Sequence, residues 1–133
     1  MRTVRLWLGL LVTMMIAAPL TLAETEFPKV LHVFVEKRTL VAANAALSRF
    51  DELDLVANER ILFQETGKSV AILATSERFI GYSAALGRWR MERRRAQERV
   101  HTVEADVYTG IVVTSDRFLN FNAETGQWSE YRR

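Results

Sequence analysis

The sequence predicts an all-β protein built from three repeats with a period of 39, each folded as four antiparallel strands. Three observations carry this prediction. The segment 71–94 recurs at 110–133, apolar residues inside it alternate with a period of two, and short polar breaks separate the apolar runs. A repeat period of this length is typical of proteins made from stacked structural units. A period of two is typical of strands with one buried face.

The N-terminal segment, residues 1–23, has the three parts of a secretory signal peptide. Arg2 and Arg5 come first, an apolar run follows, and the segment ends at Thr21-Leu22-Ala23. We therefore expect cleavage after Ala23, a periplasmic or secreted location, and a mature domain of residues 24–133 without a membrane span. The alternative is an uncleaved anchor, because the uncharged stretch 6–23 approaches the length that spans a bilayer.

The charge balance and the residue types exclude several classes of function. The 18 basic and 16 acidic residues give a net charge of +2, and removal of Arg2 and Arg5 leaves a neutral chain, which has no net field to gather nucleic acid. Without cysteine, the chain has no disulfide, thiolate nucleophile or cysteine metal ligand. His32 and His101 are far apart in the sequence, and neither lies in a metal or catalytic motif. We expect no cofactor and no metal.

The repeats are clearest between residues 71–94 and 110–133, which share 10 of 24 positions. A more divergent copy precedes them and keeps the apolar columns, one of which contains Leu40, Phe79 and Phe118. The predicted units are residues 32–70, 71–109 and 110–133. The third unit is short, whereas residues 24–31 align with the end of a unit, so we expect this segment to supply the missing strand and close the fold.

The apolar pattern inside a unit predicts its strands. Ile80, Tyr82 and Ala84 alternate with glycine and serine, as a half-buried strand requires. Like the run at 111–113, the run at 70–74 is continuously apolar, which predicts strands covered on both faces. The polar pair Ser76-Glu77 follows this run and predicts a hairpin turn.

An aromatic residue, a short turn and a tryptophan seven positions after the aromatic residue occur at 82–89 and again at 121–128. This motif resembles the blade of a kelch-type β-propeller. The resemblance implies that the aromatic residues and the tryptophans pack between blades, a role carried over to Tyr82, Trp89, Phe121 and Trp128. The Ala-Glu-Thr-Gly turn of the second motif is also similar to the turn of quinoprotein-type propeller repeats.

Three blades do not complete a propeller, since a typical ring has 4 to 8 of them. The sequence leaves two architectures open. In the first, two chains pair into a six-bladed ring, so that the protein is a homodimer. In the second, the three four-stranded units close alone as a β-trefoil.

Four residues are candidates for ligand binding: Arg78, Trp89, Arg117 and Trp128. The tryptophans offer aromatic faces for sugar rings, and the arginines, each beside an acid in a predicted turn, offer bidentate bonds to a carboxylate or phosphate. Each has a structural alternative, which we favour. Large aromatic residues in one repeat column mostly fill a core, and an arginine beside an acid commonly forms a salt bridge between repeats.

No catalytic residue is predicted, because the sequence contains no nucleophile elbow, phosphate loop or paired-histidine motif. The first functional hypothesis is therefore a non-catalytic binding or scaffold module for another protein of the cell envelope. A small carbohydrate-binding lectin is the alternative, with a glycan as its partner. An orphan hydrolase is the third hypothesis.

Overall fold

The computed structural model describes residues 26–133, so the predicted signal peptide, residues 1–23, lies outside the described residues. The described residues form eleven strands and no helix, and therefore contain no helix that is long and apolar enough to cross a membrane. The strands are β1 Leu31–Glu36, β2 Thr39–Asn44, β3 Arg49–Asp54, β4 Ile61–Thr66, β5 Val70–Thr75, β6 Arg78–Ser83, β7 Arg88–Arg93, β8 Val100–Ala105, β9 Thr109–Thr114, β10 Arg117–Asn122 and β11 Trp128–Arg132.

The strands make three antiparallel sheets, each of them a simple up-and-down meander. Sheet 1 contains β1 to β3, sheet 2 contains β4 to β7, and sheet 3 contains β8 to β11. The prediction of an all-β chain of antiparallel repeats is confirmed. None of the three sheets closes on itself. The β-trefoil alternative is therefore wrong, because that fold needs strands from all three units joined in one closed sheet.

The sheets are shifted by one strand from the predicted repeat units. Sheet 2 takes β4 from the end of the unit 32–70, and sheet 3 takes β8 from the end of the unit 71–109. Sheet 3 therefore has its four strands without the segment 24–31. The described part of that segment before β1 forms no strand and runs beside two turns. The Val30 N–H donates to the Lys68 carbonyl at 2.8 Å, and Phe27 meets Tyr108 edge-on at 5.7 Å.

Sheet 2 lies between the other two sheets and is covered on both faces. All six residues of β5 are buried, which confirms the prediction for the apolar run at 70–74. The same prediction for the run at 111–113 is wrong, because β9 alternates between buried and half-buried residues and is covered on one face only among residues 26–133. Val70, Ile72 and Ala74 pack against sheet 3, and Ala71 and Leu73 pack against sheet 1. The largest fully buried side chains at these two contacts include Leu31, Leu40, Phe79, Ile80, Tyr82, Leu119 and Phe121. The core is thus two layers of side chains between three stacked sheets.

Gly110 in β9 permits the close approach of sheets 2 and 3. A Cβ atom at this position would lie 2.2 Å from both Cδ1 and Cγ1 of Ile72, which is far inside normal contact distance. The absence of a side chain at one position therefore makes room for a large one in the facing sheet.

We expect Gly110→Ala to lower the free energy of unfolding by about 1–3 kcal/mol, because the new methyl group overpacks this contact. Ile72→Ala removes the opposing atoms and should cost about 2–5 kcal/mol alone. In the double variant the two changes relieve each other, so the combined cost should be smaller than the sum. Urea unfolding of all four proteins measures the coupling. Strict additivity would show that the two residues do not meet.

Candidate functional site

Arg78 is bound to Glu59, a carboxylate in the loop between β3 and β4. Arg78 Nε donates to Glu59 Oε2 at 3.0 Å and Nη2 donates to Oε1 at 3.1 Å, so two parallel bonds join the two planar groups. Thr75 Oγ1 donates to the same carboxylate at 2.6 Å. The Glu59 side chain is fully buried, whereas that of Arg78 is 17% exposed.

The same arrangement recurs one repeat later, deeper in the protein. Arg117 Nε donates to Glu98 Oε2 at 2.9 Å and Nη2 donates to Oε1 at 3.1 Å. Thr114 Oγ1 donates to this carboxylate at 2.6 Å. The side chain of Arg117 is only 3% exposed and that of Glu98 is fully buried. Each of the three residues follows its counterpart by 39 positions.

Both groups join neighbouring sheets, and we call them staples. The first staple (Glu59, Thr75, Arg78) reaches back to sheet 1, because Arg78 Nη2 also donates to the carbonyl of Asp54 at the end of β3, at 3.0 Å. The second staple (Glu98, Thr114, Arg117) reaches back to sheet 2 through an equivalent bond of 2.8 Å to the carbonyl of Arg93 at the end of β7.

The loop before each glutamate is shaped to present its carboxylate inwards. Asn58 and Gln97, which directly precede the two glutamates, have φ angles of 64° and 62°, in the left-handed region that residues other than glycine rarely adopt. The Val56 N–H donates to Glu59 Oε1 at 3.0 Å, and the Arg95 N–H donates to the equivalent oxygen of Glu98 at 3.1 Å. The carboxylate thus closes its own loop and binds the arginine.

The second staple holds the pKa of Glu98 far from its ordinary value. Burial alone would raise this pKa, but hydrogen bonds from Arg117 and Thr114 and from the Arg95 N–H, together with the charge of Arg117, lower it from 4.5 to about 2. The pKa of Glu59 is also lowered, again because bonds from Arg78, Thr75 and Val56 outweigh the effect of burial. Both carboxylates are therefore ionised in the folded protein at neutral pH.

We expect the protein to lose stability in acid between about pH 4.5 and pH 2. A pKa that is lower in the folded state than in the unfolded state contributes stability above the unfolded value, and the contribution disappears as pH falls through the folded value. For the shift of Glu98 from 4.5 to about 2 the loss is about 3 kcal/mol. Urea unfolding at steps across this range measures it. Glu98→Gln should flatten the profile, and an unchanged profile in that variant would contradict the assignment.

Arg117 also contacts an acid on the outer edge strand of sheet 3. Its Nη1 donates to Glu130 Oε2 at 2.6 Å, and Arg95 Nη2 lies 3.2 Å from both oxygens of the same carboxylate. Arg94, in the basic run of this region, donates to the carbonyls of Thr75 and Glu98. Four of the arginines here thus donate to groups inside the protein, among them both arginines proposed for ligand binding, Arg78 and Arg117.

Trp89 and Trp128 lie between sheets and are half-buried. Trp89 packs on Tyr82 with ring centroids 4.7 Å apart, and Trp128 packs on Phe121 at 5.2 Å. Trp128 Nε1 also donates to the carbonyl of Arg90 in sheet 2 at 3.3 Å. The tryptophans therefore have the packing role that the kelch-type resemblance implies. In the described part of the chain, Arg117 and Trp128 line different grooves.

Two exposed apolar side chains lie side by side on β4, the edge strand of sheet 2 that faces sheet 3. The edge strands β4 and β8 are in contact, and each has an irregularity at the same repeat position, where Leu62 and His101 have no pairing partner in the neighbouring strand. A bulge re-aims the side chains around it. Leu62 is 42% exposed and its neighbour Phe63 is 38% exposed. The sequence analysis missed this surface, although both side chains are large and apolar in a strand whose counterpart has His101 and Thr102.

Among residues 26–133, no three side chains of His, Cys, Asp or Glu gather in a way that would hold a metal ion. The recurring glutamates Glu59 and Glu98 were visible in the sequence as part of the repeat, but their pairing with the arginines was not assigned. No protein-family model matches this chain, and no curated protein matches it. The geometry of the chain itself is therefore the basis for assigning a function.

Proposed function

We propose that this protein is an exported, non-catalytic binding or scaffold module of the cell envelope, and that its three sheets are blades of a β-propeller. The propeller arrangement is supported by the face-to-face stacking of one three-stranded and two four-stranded meanders, by the contact between the edge strands β4 and β8, and by the tryptophans that pack into the space between sheets. Export is supported by the predicted signal peptide, residues 1–23.

The binding role rests on one observation, the apolar side chains that the bulge in β4 turns outwards. Leu62 and Phe63 lie on β4 of sheet 2, and the two staples join this sheet to its neighbours on both sides. The surface that contains the two side chains is therefore rigid. Exposed apolar groups on a rigid surface mark a contact for another protein, because their burial is favourable and little order is lost. The partner is another envelope protein that places apolar side chains against this edge.

Site-specific photocrosslinking in the native host tests this function. A photoreactive residue at position 62 of the full chain should give a discrete adduct with a protein other than this chain, in the envelope or extracellular fraction. Position 56 is the matched control, since Val56 is 50% exposed but lies in the loop that precedes β4 and not on the strand itself. The proposal fails if the chain stays in the cytoplasm, if position 62 gives no such adduct, or if position 56 gives the same one.

A further inference from the structure

Two sheet faces at the ends of the stack have no partner among residues 26–133. The free face of sheet 1 contains His32, Phe34, Val41, Ala43 and Phe50. The free face of sheet 3 contains Ile111, Val113, Phe118, Asn120, Asn122 and Tyr131. Both faces include large exposed side chains, of which Phe50 is 71% and Tyr131 is 72% exposed. Each face also carries an acid, Glu52 opposite Val41 on sheet 1 and Glu104 opposite Ile111 on sheet 3, but the exposure of several large apolar side chains is unfavourable in water.

The two free faces are opposite halves of a contact that the chain already makes twice. Phe34, Val41 and Phe50 occupy the repeat positions of Leu73, Ile80 and Trp89, which pack against the preceding sheet. On sheet 3, Ile111, Val113 and Phe118 occupy the repeat positions of Ile72, Ala74 and Phe79, which pack against the following sheet. The free face of sheet 3 therefore has the residues that pack against a following sheet, and the free face of sheet 1 has the residues that pack against a preceding one.

The most exposed aromatic side chains meet if sheet 1 packs on sheet 3 in the way that sheet 2 packs on sheet 1. Trp89 packs against Leu40, Leu73 and Ile80 together with Leu53. At the next equivalent contact Phe50 replaces Trp89, and Phe118 and Tyr131 replace Leu40 and Leu53. Three aromatic rings would therefore leave water together. Large aromatic residues of this kind contribute most of the binding energy at protein interfaces.

A hydrogen bond that joins neighbouring sheets twice also has, within residues 26–133, an unused donor on sheet 3 and an unused acceptor on sheet 1. Asn44 Nδ2 donates to the Ala84 carbonyl at 2.8 Å, and Ser83 Oγ donates to the Ala123 carbonyl at 2.6 Å. The next donor in this column is Asn122 and the next acceptor is the carbonyl of Ala45.

Both groups are already oriented for this bond. Asn122 Oδ1 accepts the N–H groups of the following turn, as Asn44 Oδ1 does, so the Asn122 amide nitrogen remains for a partner. The Ala45 N–H donates to the Val30 carbonyl at 2.8 Å. The N–H groups of its counterparts Ala84 and Ala123 donate to the carbonyls at the same repeat position, those of Ser69 and Tyr108, at 2.9 Å.

Size and charge are complementary as well. Within the chain, Gly81 makes room for the ring of Phe121 in the next sheet. At the contact between the two free faces, Asn120 has the repeat position of Gly81 and Ala43 has that of Phe121, so a larger residue faces a smaller one. On sheet 3, an open groove of about 490 Å³ is lined by Glu104, Asp106 and Ile111, among others. The repeat positions place His32, with the base Lys29 nearby, at this acidic groove.

We propose that a second copy of this chain covers both faces, so that sheet 3 of each copy packs on sheet 1 of the other. Two copies related by a two-fold axis form two identical contacts and close a ring of six sheets, within the usual range of 4 to 8 blades. Three copies would give nine, beyond that range. The inference rests on the propeller arrangement proposed above, but not on any binding partner, so a monomeric chain that crosslinks at position 62 would separate the two.

Light scattering after size exclusion, on the chain purified from its native compartment with its N-terminus determined, gives the first test. A mass of two chains is expected at micromolar concentration. A monomer, a trimer or an open-ended polymer would overturn the proposal.

Substitutions test the faces themselves. Phe50→Asp places a charge in both contacts of the ring, so the dissociation constant should rise about 1,000-fold. Met91→Asp is the control, because Met91 is 46% exposed on the outer strand of sheet 2 and belongs to neither free face. Circular dichroism checks that both variants fold. A dimer that survives Phe50→Asp, or one lost equally in Met91→Asp, would refute this assignment of the faces.

A mixing experiment shows that the two faces meet each other rather than themselves. Tyr131→Arg puts the opposite charge on sheet 3, where it would face the aspartate of Phe50→Asp. Mixing the two variants should give heterodimers with one native contact and one new ion pair, at concentrations where Phe50→Asp alone is monomeric. If the mixture contains no more dimer than the separate proteins, Phe50 and Tyr131 do not lie in one contact.

Discussion

Glu98→Gln should lower the free energy of unfolding by about 3 kcal/mol, within the range observed when one partner of a buried ion pair is removed. The substitution keeps the size of the side chain but removes its charge, so Arg117, only 3% exposed, keeps two partly exposed carboxylates, Glu130 at 2.6 Å and Glu92 at 3.9 Å. Thr114 also loses its charged acceptor. The cost arises mainly from a buried cation that water cannot reach.

Glu59→Gln is the matched comparison, because the first staple has the same bonds in a more open setting. Arg78 is 17% exposed and can regain water when its partner loses charge, so we expect a cost of about 1–2 kcal/mol. Urea unfolding of the two variants beside the native protein gives the difference. A larger loss for Glu59→Gln than for Glu98→Gln would contradict the argument from burial.

Phe121→Ala is expected to cost about 3–5 kcal/mol, the usual range for deletion of a fully buried ring. Phe121 is 0% exposed, fills the space above Gly81, and stacks on Trp128 at 5.2 Å. Its loss would leave a cavity between sheets 2 and 3, which the rigid strands cannot fill by collapse.

Phe118→Ala is the control on the same strand, since Phe118 points to the free face and is 40% exposed. Its cost should stay below about 1 kcal/mol in a chain that cannot self-associate. Both variants are therefore compared in the Phe50→Asp background by urea unfolding. Equal losses at the two positions would mean that the faces of β10 are assigned the wrong way round.

The strands and the stacking of the repeats were predictable because burial selects residue type. The continuous run at 70–74 indicates a strand with two covered faces, and the recurring aromatic residues indicate side chains that fill the space between sheets. The sheet boundaries were not predictable in the same way. Ile61–Thr66 is largely exposed, so its sequence contains no record of whether it pairs with the strand before it or after it.

The candidate site was predicted only in part, for a related reason. The recurrence of Arg78 and Arg117 is visible in the sequence, and so is that of the two glutamates. However, Glu98 lies 16 residues from Thr114 and 19 from Arg117, and such distances reveal a contact only when the path of the chain is known. The free faces were likewise hidden, because Phe50 and Tyr131 have the residue types of a core and became exposed only through their place at the ends of the stack.

The position of the staples relative to the repeat has a consequence for how such a chain lengthens during evolution. Each staple takes its glutamate from one unit and its threonine and arginine from the next. In-frame duplication of the internal unit 71–109 therefore creates a complete new set at the new junction, and deletion of that unit joins Glu59 to Thr114 and Arg117 and so removes one complete set. Neither event passes through an ancestor with an unpaired buried charge, which is the intermediate that selection would remove. The number of repeat units is thereby free to vary.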